Sequence, residues 1–306
     1  MKSALLSLSK IRSEDPERIS EVFAKRIRRK LIRGDGKLFI IAADHPARGA
    51  LGVGNDAYAM SSRYLLLERL AIALRRPGVD GVLGTPDIID DLALLGLLDD
   101  KIVVGSMNRG GLKGASFEMD DRFTAYDVDS IKRDRLDFAK TLLRINLKDS
   151  GSLATLEATA RAVNDAVASQ IPIMLEPFIS HWVNGAVKND LSTEAAILSI
   201  AISAGLGNSS AYSWLKIPVV PNMERVMEAT TLPSLLLGGE PSEDQDTTFD
   251  VWERALTLPG VRGMVVGRSL LFPSDGNVEG AIDTAVQLVH GRTIRDSHSD
   301  GGSRAE

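Results

Sequence analysis

Cysteine is absent from this sequence, which excludes disulfides, thiolate nucleophiles, iron–sulfur clusters and Cys-based zinc sites. Histidine is scarce: His45, His181, His290 and His298 are the four, and no two stand at the helical spacing of a metal-binding pair. The expectation is therefore no metal and no other cofactor. Aromatic residues make up only 5% of the chain. Neither sign of charge dominates, with 36 basic and 41 acidic side chains, so there is no electrostatic footprint for nucleic acid or an anionic membrane. The most apolar run, Ala195 to Leu206, falls short of the roughly 20 residues a membrane span needs. The amino-terminal stretch is interrupted by Ser and Lys and lacks a signal-peptide pattern. These absences lead to the expectation of a cytoplasmic protein with no nucleic-acid or membrane partner. No glycine-rich dinucleotide turn follows an early strand, which argues against an open doubly wound sheet.

What is present is alternation. The 306 residues are 44% hydrophobic and 25% charged, an ordinary globular balance. An amphipathic helix is predicted from about Asp15-Pro16, with Ile19, Val22, Phe23 and Ile27 on one face, ending before Gly34-Asp35-Gly36. Strands are then predicted at Lys37–Ala43, Gly81–Leu83, Ile102–Ser106, Thr141–Leu147, Ile171–Glu176, Ser213–Ile217, Ser234–Leu237 and Gly263–Val266. Helices are predicted at Ala57–Ala73, Leu153–Ser169, Thr193–Ala204, Phe249–Leu256 and Val278–His290. Eight strands alternating with helices imply an α/β fold, a single (β/α)8 TIM barrel of typical size about 250 residues. The predicted organisation is an N-terminal helical extension over 1–36, a barrel over 37–291, and a disordered tail over 292–306, which is polar and rich in Gly and Ser. Asn108–Asp127 is too long for an ordinary strand-to-helix loop. It either covers the barrel mouth or is a surface insertion.

Barrel strands are buried on both faces, so a charge within one, or at its carboxyl end, needs a reason. The first strand ends in Asp44-His45-Pro46, and the fourth brings Lys140, Arg144 and Asn146 in one parity. The fifth ends in Glu176-Pro177 and the sixth contains Lys216. The seventh ends in Gly238-Gly239, the eighth in Gly267-Arg268-Ser269.

Lys216 is the most informative of these. An ammonium desolvated in an apolar strand loses basicity, and a neutral amine attacks carbonyls to form a Schiff base. The competing reading is a lysine whose head snorkels to water. Lys140 would supply a second cation that depresses the pKa of Lys216, or is a solvated helix-end residue. Asp44 and Glu176 are the carboxylates expected for proton transfer around a carbon–carbon cleavage, or salt-bridge partners of Lys140, Arg144 or Arg48, or both. Glycines at the ends of strands seven and eight let backbone N–H groups approach an anion, and Arg268 adds a charge-assisted contact. Gly238, Gly239, Gly267 and Arg268 are thus the expected phosphate site, with Arg144 and His45 as further substrate-binding candidates.

In this order along the chain, Asp44-His45, Lys140, Glu176, the Leu215-Lys216-Ile217-Pro218 lysine, Gly238-Gly239 and Gly267-Arg268 resemble the class I aldolases of the deoxyribose-phosphate, tagatose-bisphosphate and archaeal-type fructose-bisphosphate group. Within it, an actinobacterial (β/α)8 branch associated with inositol catabolism is the nearest likeness, over about Lys37 to His290. The resemblance implies that Lys216 forms the iminium, that Arg268 and its neighbouring glycines hold a phosphate, and that Asp44, Lys140 and Glu176 handle protons and hydroxyls. One departure stands out. Archaeal-type members carry a tyrosine proton donor just after the fifth strand, where this chain has Phe178; Glu176, Lys140 or a residue of the long loop would then take that role. His181 and Trp182 lie on the same loop and could line the mouth, Trp182 alternatively as a packing residue.

The resulting expectation is a metal-independent aldehyde-lyase acting on a phosphorylated ketose. Candidate substrates are fructose or tagatose 1,6-bisphosphate and 2-deoxy-5-keto-gluconate 6-phosphate. Two alternatives are an acyl- or ketol-transferase on the same scaffold and a non-catalytic phosphosugar-binding barrel. Such families commonly assemble as homo-oligomers, but no interface is legible in the sequence.

Overall fold

The computed structural model describes residues 2–239 and 245–291. The segment predicted to be a disordered tail, 292–306, lies outside the described residues.

Two helices open the chain, α1 (Lys2–Glu14) and α2 (Arg18–Lys25). The first strand is β1 (Leu38–Ala42), followed by a 3-10 turn at Pro46–Arg48 and α3 (Arg63–Arg75). Next come β2 (Gly81–Gly84), α4 (Pro86–Leu94), β3 (Ile102–Ser106), α5 (Val128–Arg133), β4 (Phe138–Ile145) and α6 (Gly151–Ser169). A hairpin of β5 (Ile173–Val183) and β6 (Ala186–Asn189) leads to α7 (Thr193–Ala204). The chain closes with β7 (Ser213–Pro218), α8 (Met223–Glu228), β8 (Ser234–Leu237), α9 (Gln245–Leu256), β9 (Val261–Val266), α10 (Arg268–Leu271) and α11 (Val278–His290).

All strands except β6 are parallel. They pair in the order β1–β2–β3–β4–β5–β7–β8–β9, and β9 returns to β1, so eight strands form a closed TIM barrel. β6 pairs antiparallel with only the far half of β5, from Ser180 to Val183. No helix among the described residues is long and apolar enough to cross a membrane.

Period-two alternation sorts the strand residues into two cores. Phe39, Ile41, Val82, Val103, Ala139, Leu175, Leu215 and Met264 face the helices and pack against their apolar stripes. Leu38, Ile40, Ala42, Leu83, Ile102, Val104, Phe138, Met174, Leu235 and Val265 fill the barrel interior. The Trp214 ring meets Phe138 edge-on at 5.5 Å. The next inward position on several strands is polar: Asp44 follows Ala42, Ser106 follows Val104, Lys140 follows Phe138, Glu176 follows Met174 and Lys216 follows Trp214. A dry apolar plug thus ends directly beneath a polar layer at the carboxyl ends.

The opposite end is closed by buried ion pairs with the segment after α2. Arg26 and Arg28 bind Asp137 at 3.1 and 2.8 Å, and Arg29 binds Asp80. Asp80 also accepts the Phe39 N–H at 2.8 Å, and His290 bridges Asp35 and Asp80.

Several expectations need correction. The helix predicted from Asp15 is α2; α1 precedes it, its Leu5 and Leu8 buried while Ser3, Ser7, Ser9 and Lys10 are exposed. Ile27 lies beyond α2 and is exposed. The helix predicted from Ala57 starts at Arg63, where the Ser62 hydroxyl accepts the Leu65 N–H and caps it. β4 begins at Phe138, so Lys140 is a strand residue and not a helix end. Asn146 falls just past the strand, where its side chain accepts the Lys148 N–H and shapes the turn, so it does not share the inward face of Lys140. β5 runs through Pro177 because it separates from β7 beyond Leu175, and a proline is tolerated where one edge is open.

Gly263 marks where strand closure is tightest. It pairs with Leu38 at φ +120°, and a Cβ there would lie 1.9 Å from the Leu38 carbonyl oxygen. Gly263→Ala is expected to combine backbone strain with a clash and cost about 3 kcal/mol, lowering Tm by roughly 6–12 °C. Thermal denaturation checks this; an unchanged Tm would show that the β1–β9 seam can yield.

Candidate active site

β4, β5 and β7 are neighbours in the barrel, and their polar inward residues meet across it. The Lys216 ammonium lies 2.6 Å from Glu176 Oε1. The Lys140 ammonium lies 2.5 Å from Glu176 Oε2 and 3.1 Å from Asp44 Oδ2. One carboxylate therefore bridges two lysines, and the second lysine carries the chain of charge to β1. All four side chains are buried, Lys140 at 1% and Lys216 at 3% exposure, so neither lysine snorkels to solvent.

The electrostatics follow from this packing. Burial pushes the Lys216 pKa down, Glu176 opposes the shift, and Arg109 and Arg268 add to it. Burial likewise drives Lys140 well below the usual lysine range, with Lys216 and Arg109 contributing and Glu176 opposing. Burial by itself would raise Glu176, but the adjacent Lys140 and Lys216 hold its carboxyl well below the usual range.

The long loop does cover the mouth. Asn108 is buried at its root, where its side-chain oxygen accepts the Leu142 N–H at 2.8 Å and its amide donates to the Leu142 carbonyl, continuing the β3–β4 ladder with a side chain. That places Arg109 against Asp44 and the Ser106 hydroxyl, and Ser106 itself donates to Asp44 Oδ2 at 3.1 Å. Farther along, the Arg144 guanidinium binds Glu118 Oε1 at 2.5 Å and donates to the Glu118 and Gly111 carbonyls at 2.7 and 3.2 Å. The Lys113 N–H donates to the Arg48 carbonyl at 2.8 Å, so the loop reaches from β3 across to the turn after β1.

Arg144, a substrate-binding candidate from the sequence, anchors this loop. Arg109, Ser106, Asn108 and Glu118 were not singled out from the sequence. Their signal was the length of the loop and an Asn-Arg pair two residues past the end of a strand. His181 is exposed beside Asp190, away from the polar layer, and Trp182 donates its indole N–H to Asp149 at 2.5 Å.

The glycine positions sit where the carboxyl ends of β8, β9 and β1 converge. A Cβ on Gly267 would lie 2.2 Å from the Ala42 carbonyl oxygen, and one on Gly238 would lie 2.4 Å from Val266 and 3.3 Å from the Ser269 hydroxyl. Gly239 adopts φ +70°, a turn that glycine makes without strain. Arg268 opens α10 immediately afterwards, and its charge reaches both Lys216 and His45. Among the described residues, the buried Ser269 hydroxyl has no hydrogen-bond partner.

The carboxyl-end layer of this closed barrel thus holds a buried Lys–Glu–Lys bridge, with Gly267 and Arg268 at a neighbouring strand end. Residues 36–286 match the model of the Cgl0159-like family, and the chain belongs to that family. The crystal structure of Cgl0159 from Corynebacterium glutamicum is 66% identical, with TM-score 0.93 over 95% of this chain and 98% of that one. A Schiff-base-forming fructose-1,6-bisphosphate aldolase shares the fold at 19% identity and TM-score 0.61, covering 89% of this chain and all 100% of its own. An archaeal fructose 1,6-bisphosphate aldolase does so at 18% identity and TM-score 0.61, covering 90% and 100%. Among curated proteins, none matches this chain.

The bridge makes a prediction about acid. Because Glu176 has a folded pKa below its unfolded value near 4.3, its ionised form contributes stability that is present above that value and lost as pH falls toward the folded pKa. Glu176→Gln should be less stable than wild type at pH 7, and the gap in denaturant-derived stability should narrow on acidification through pH 4. A gap that widened on acidification would contradict the assignment of an ionised Glu176.

Proposed function

We propose that this protein is a metal-independent class I aldolase, an aldehyde-lyase that cleaves a phosphorylated ketose through a Schiff base on Lys216. The observation that carries the reading is the buried Lys216 ammonium, 2.6 Å from a carboxylate that a second buried lysine also holds. The resemblance of the ordered set of strand-end residues to class I aldolases supports it. So does the shared fold with a protein described as a Schiff-base-forming aldolase. Fructose and tagatose 1,6-bisphosphate and 2-deoxy-5-keto-gluconate 6-phosphate are the candidate substrates.

The proposed chemistry uses the geometry step by step. Desolvation and the charges of Arg109 and Arg268 favour neutral Lys216, which attacks the ketone carbon. Glu176, in contact with both lysine nitrogens, relays the protons needed to expel the carbinolamine oxygen as water. The hydroxyl on the carbon β to the iminium gives its proton to a base, the bond between the α and β carbons breaks, its electron pair passes into the iminium to form an enamine, and the aldehyde departs. The enamine is then protonated and the iminium hydrolysed, freeing the ketone product and Lys216. Lys140 and Asp44 hold substrate hydroxyls. Gly238, Gly239, Gly267 and Arg268 hold the phosphate, with the Ser269 hydroxyl as an added donor.

Two measurements test this. Borohydride reduction with a ketose phosphate should give a mass adduct on Lys216, and Lys216→Ala or Lys216→Arg should abolish both adduct and turnover. An adduct on Lys140 would move the nucleophile to β4, and absence of any adduct would favour a phosphosugar-binding barrel. Acceptor-dependent turnover would favour a transferase.

Arg268→Ala removes a charge-assisted contact of roughly 1.5–3 kcal/mol, a ten- to hundredfold loss in kcat/KM for a phosphorylated substrate. A non-phosphorylated analogue should be little affected. Equal losses for both, at unchanged Tm, would reject the phosphate assignment.

A further inference from the structure

We propose that His45 is the acid–base residue of the site, taking the hydroxyl proton of the substrate as the carbon–carbon bond breaks and returning it to the enamine carbon. This inference rests on the Schiff-base reading above.

The first argument is elimination by geometry. Asp44 Oδ2 already accepts from Ser106, Arg109 and Lys140. Both oxygens of Glu176 are engaged by lysines, and Lys140 is fixed between two carboxylates. Arginines do not exchange protons at neutral pH. Phe178, the next inward residue on β5 beyond Glu176, carries no proton to give. His45 differs from all of these. Its Nδ1 is buried with no hydrogen-bond partner among the described residues and lies 3.7 Å from Asp44 Oδ1, too far for a bond and close enough to stabilise an imidazolium. The approach of Gly267 to the Ala42 carbonyl brings the ends of β9 and β1 together, so His45 stands within the field of Arg268 and Lys216.

The second argument is charge. The groups facing His45 are Asp44 on its own strand end, Lys140 on β4, Glu176 on β5, Lys216 on β7 and Arg268 at the start of α10. The side chain is 27% exposed, and its partial desolvation lowers the imidazole below its usual pKa, with Arg268 and Lys216 pushing the same way. The resting residue is therefore a neutral base. A phosphate dianion on Arg268 removes the larger of those two repulsions. The second is removed by the reaction itself. When the bond breaks, its electron pair passes into the iminium, the Lys216 nitrogen becomes a neutral enamine nitrogen, and the hydroxyl proton moves to His45. One positive charge thus passes from Lys216 to His45, and the cation that opposed protonation disappears in the step that requires it. In the return step the enamine carbon takes the proton from His45, and the iminium charge reappears on Lys216 for hydrolysis.

The half-reaction with dihydroxyacetone phosphate isolates this step, because enamine formation exchanges a hydroxymethyl hydrogen with solvent and no aldehyde is needed. Wild type, His45→Gln and His45→Ala are each incubated with it in D2O. Exchange is followed by NMR, and the borohydride adduct by intact mass. The expected result is that the adduct persists in both variants while exchange slows by about 100-fold or more, and that imidazole restores exchange in His45→Ala. Exchange at the wild-type rate in His45→Gln overturns the proposal. So does a loss of exchange that only parallels loss of adduct, which would make His45 a binding residue. A wild-type enzyme that forms no adduct overturns the Schiff-base reading, and this inference with it.

Discussion

The rest of the site depends on one carboxylate held between two buried ammonium groups. Glu176 is what allows Lys140 and Lys216 to be desolvated together, since two lysines facing each other in an apolar barrel would repel and lose their protons or admit water. Their separation is set by strands, not by loops. β4, β5 and β7 are consecutive around the barrel, and the register that puts Lys140 beside Met174 and Met174 beside Trp214 leaves Glu176 and Lys216 one inward step higher. A charge network built on a ladder of backbone hydrogen bonds is positioned as rigidly as the sheet itself.

From that bridge the structure extends in two directions. Through Lys140 it reaches Asp44 on β1, and through Asp44 it reaches Arg109 and the long loop. The loop is held down at its root by the Asn108 side chain and farther along by Arg144, so its roofing position follows from buried polar contacts and not from an apolar face. Towards β8 and β9, the glycines allow backbone to approach backbone where a side chain could not fit, bringing Arg268 into the field of Lys216 and His45. The amino-terminal end of the barrel has its own buried pairs, which join the N-terminal segment to Asp80 and Asp137 and leave the chemistry to the far side.

The barrel itself was readable in the sequence, because eight short β-branched or apolar runs separated by helical stretches allow few other arrangements. Helices Thr193–Ala204 and Val278–His290 and strands Ile102–Ser106 and Ser234–Leu237 stand where their patterns place them. The pattern failed where a functional residue interrupts it. Lys140 looked like a helix end and displaced the predicted start of β4, and Pro177 looked like the end of β5. Both are local rules overridden by tertiary context, one by an ion pair inside the barrel and the other by an open strand edge.

The sequence by itself determined that a lysine would sit in an apolar strand, that carboxylates and glycines would occupy neighbouring strand ends, and that no thiol chemistry was available. Those conclusions need only residue type and period-two alternation. Which charges touch was decided by the closed barrel alone. Arg144 shares the parity of Lys140, yet it lies two inward steps higher and meets Glu118 of the loop instead of the lysine layer. Arg109 and Asp44 are far apart in the chain, and their contact arises because a loop from β3 crosses to the end of β1. Ring closure sets such pairings: each strand end meets its neighbours and whatever folds over it, and distances along the chain do not encode that.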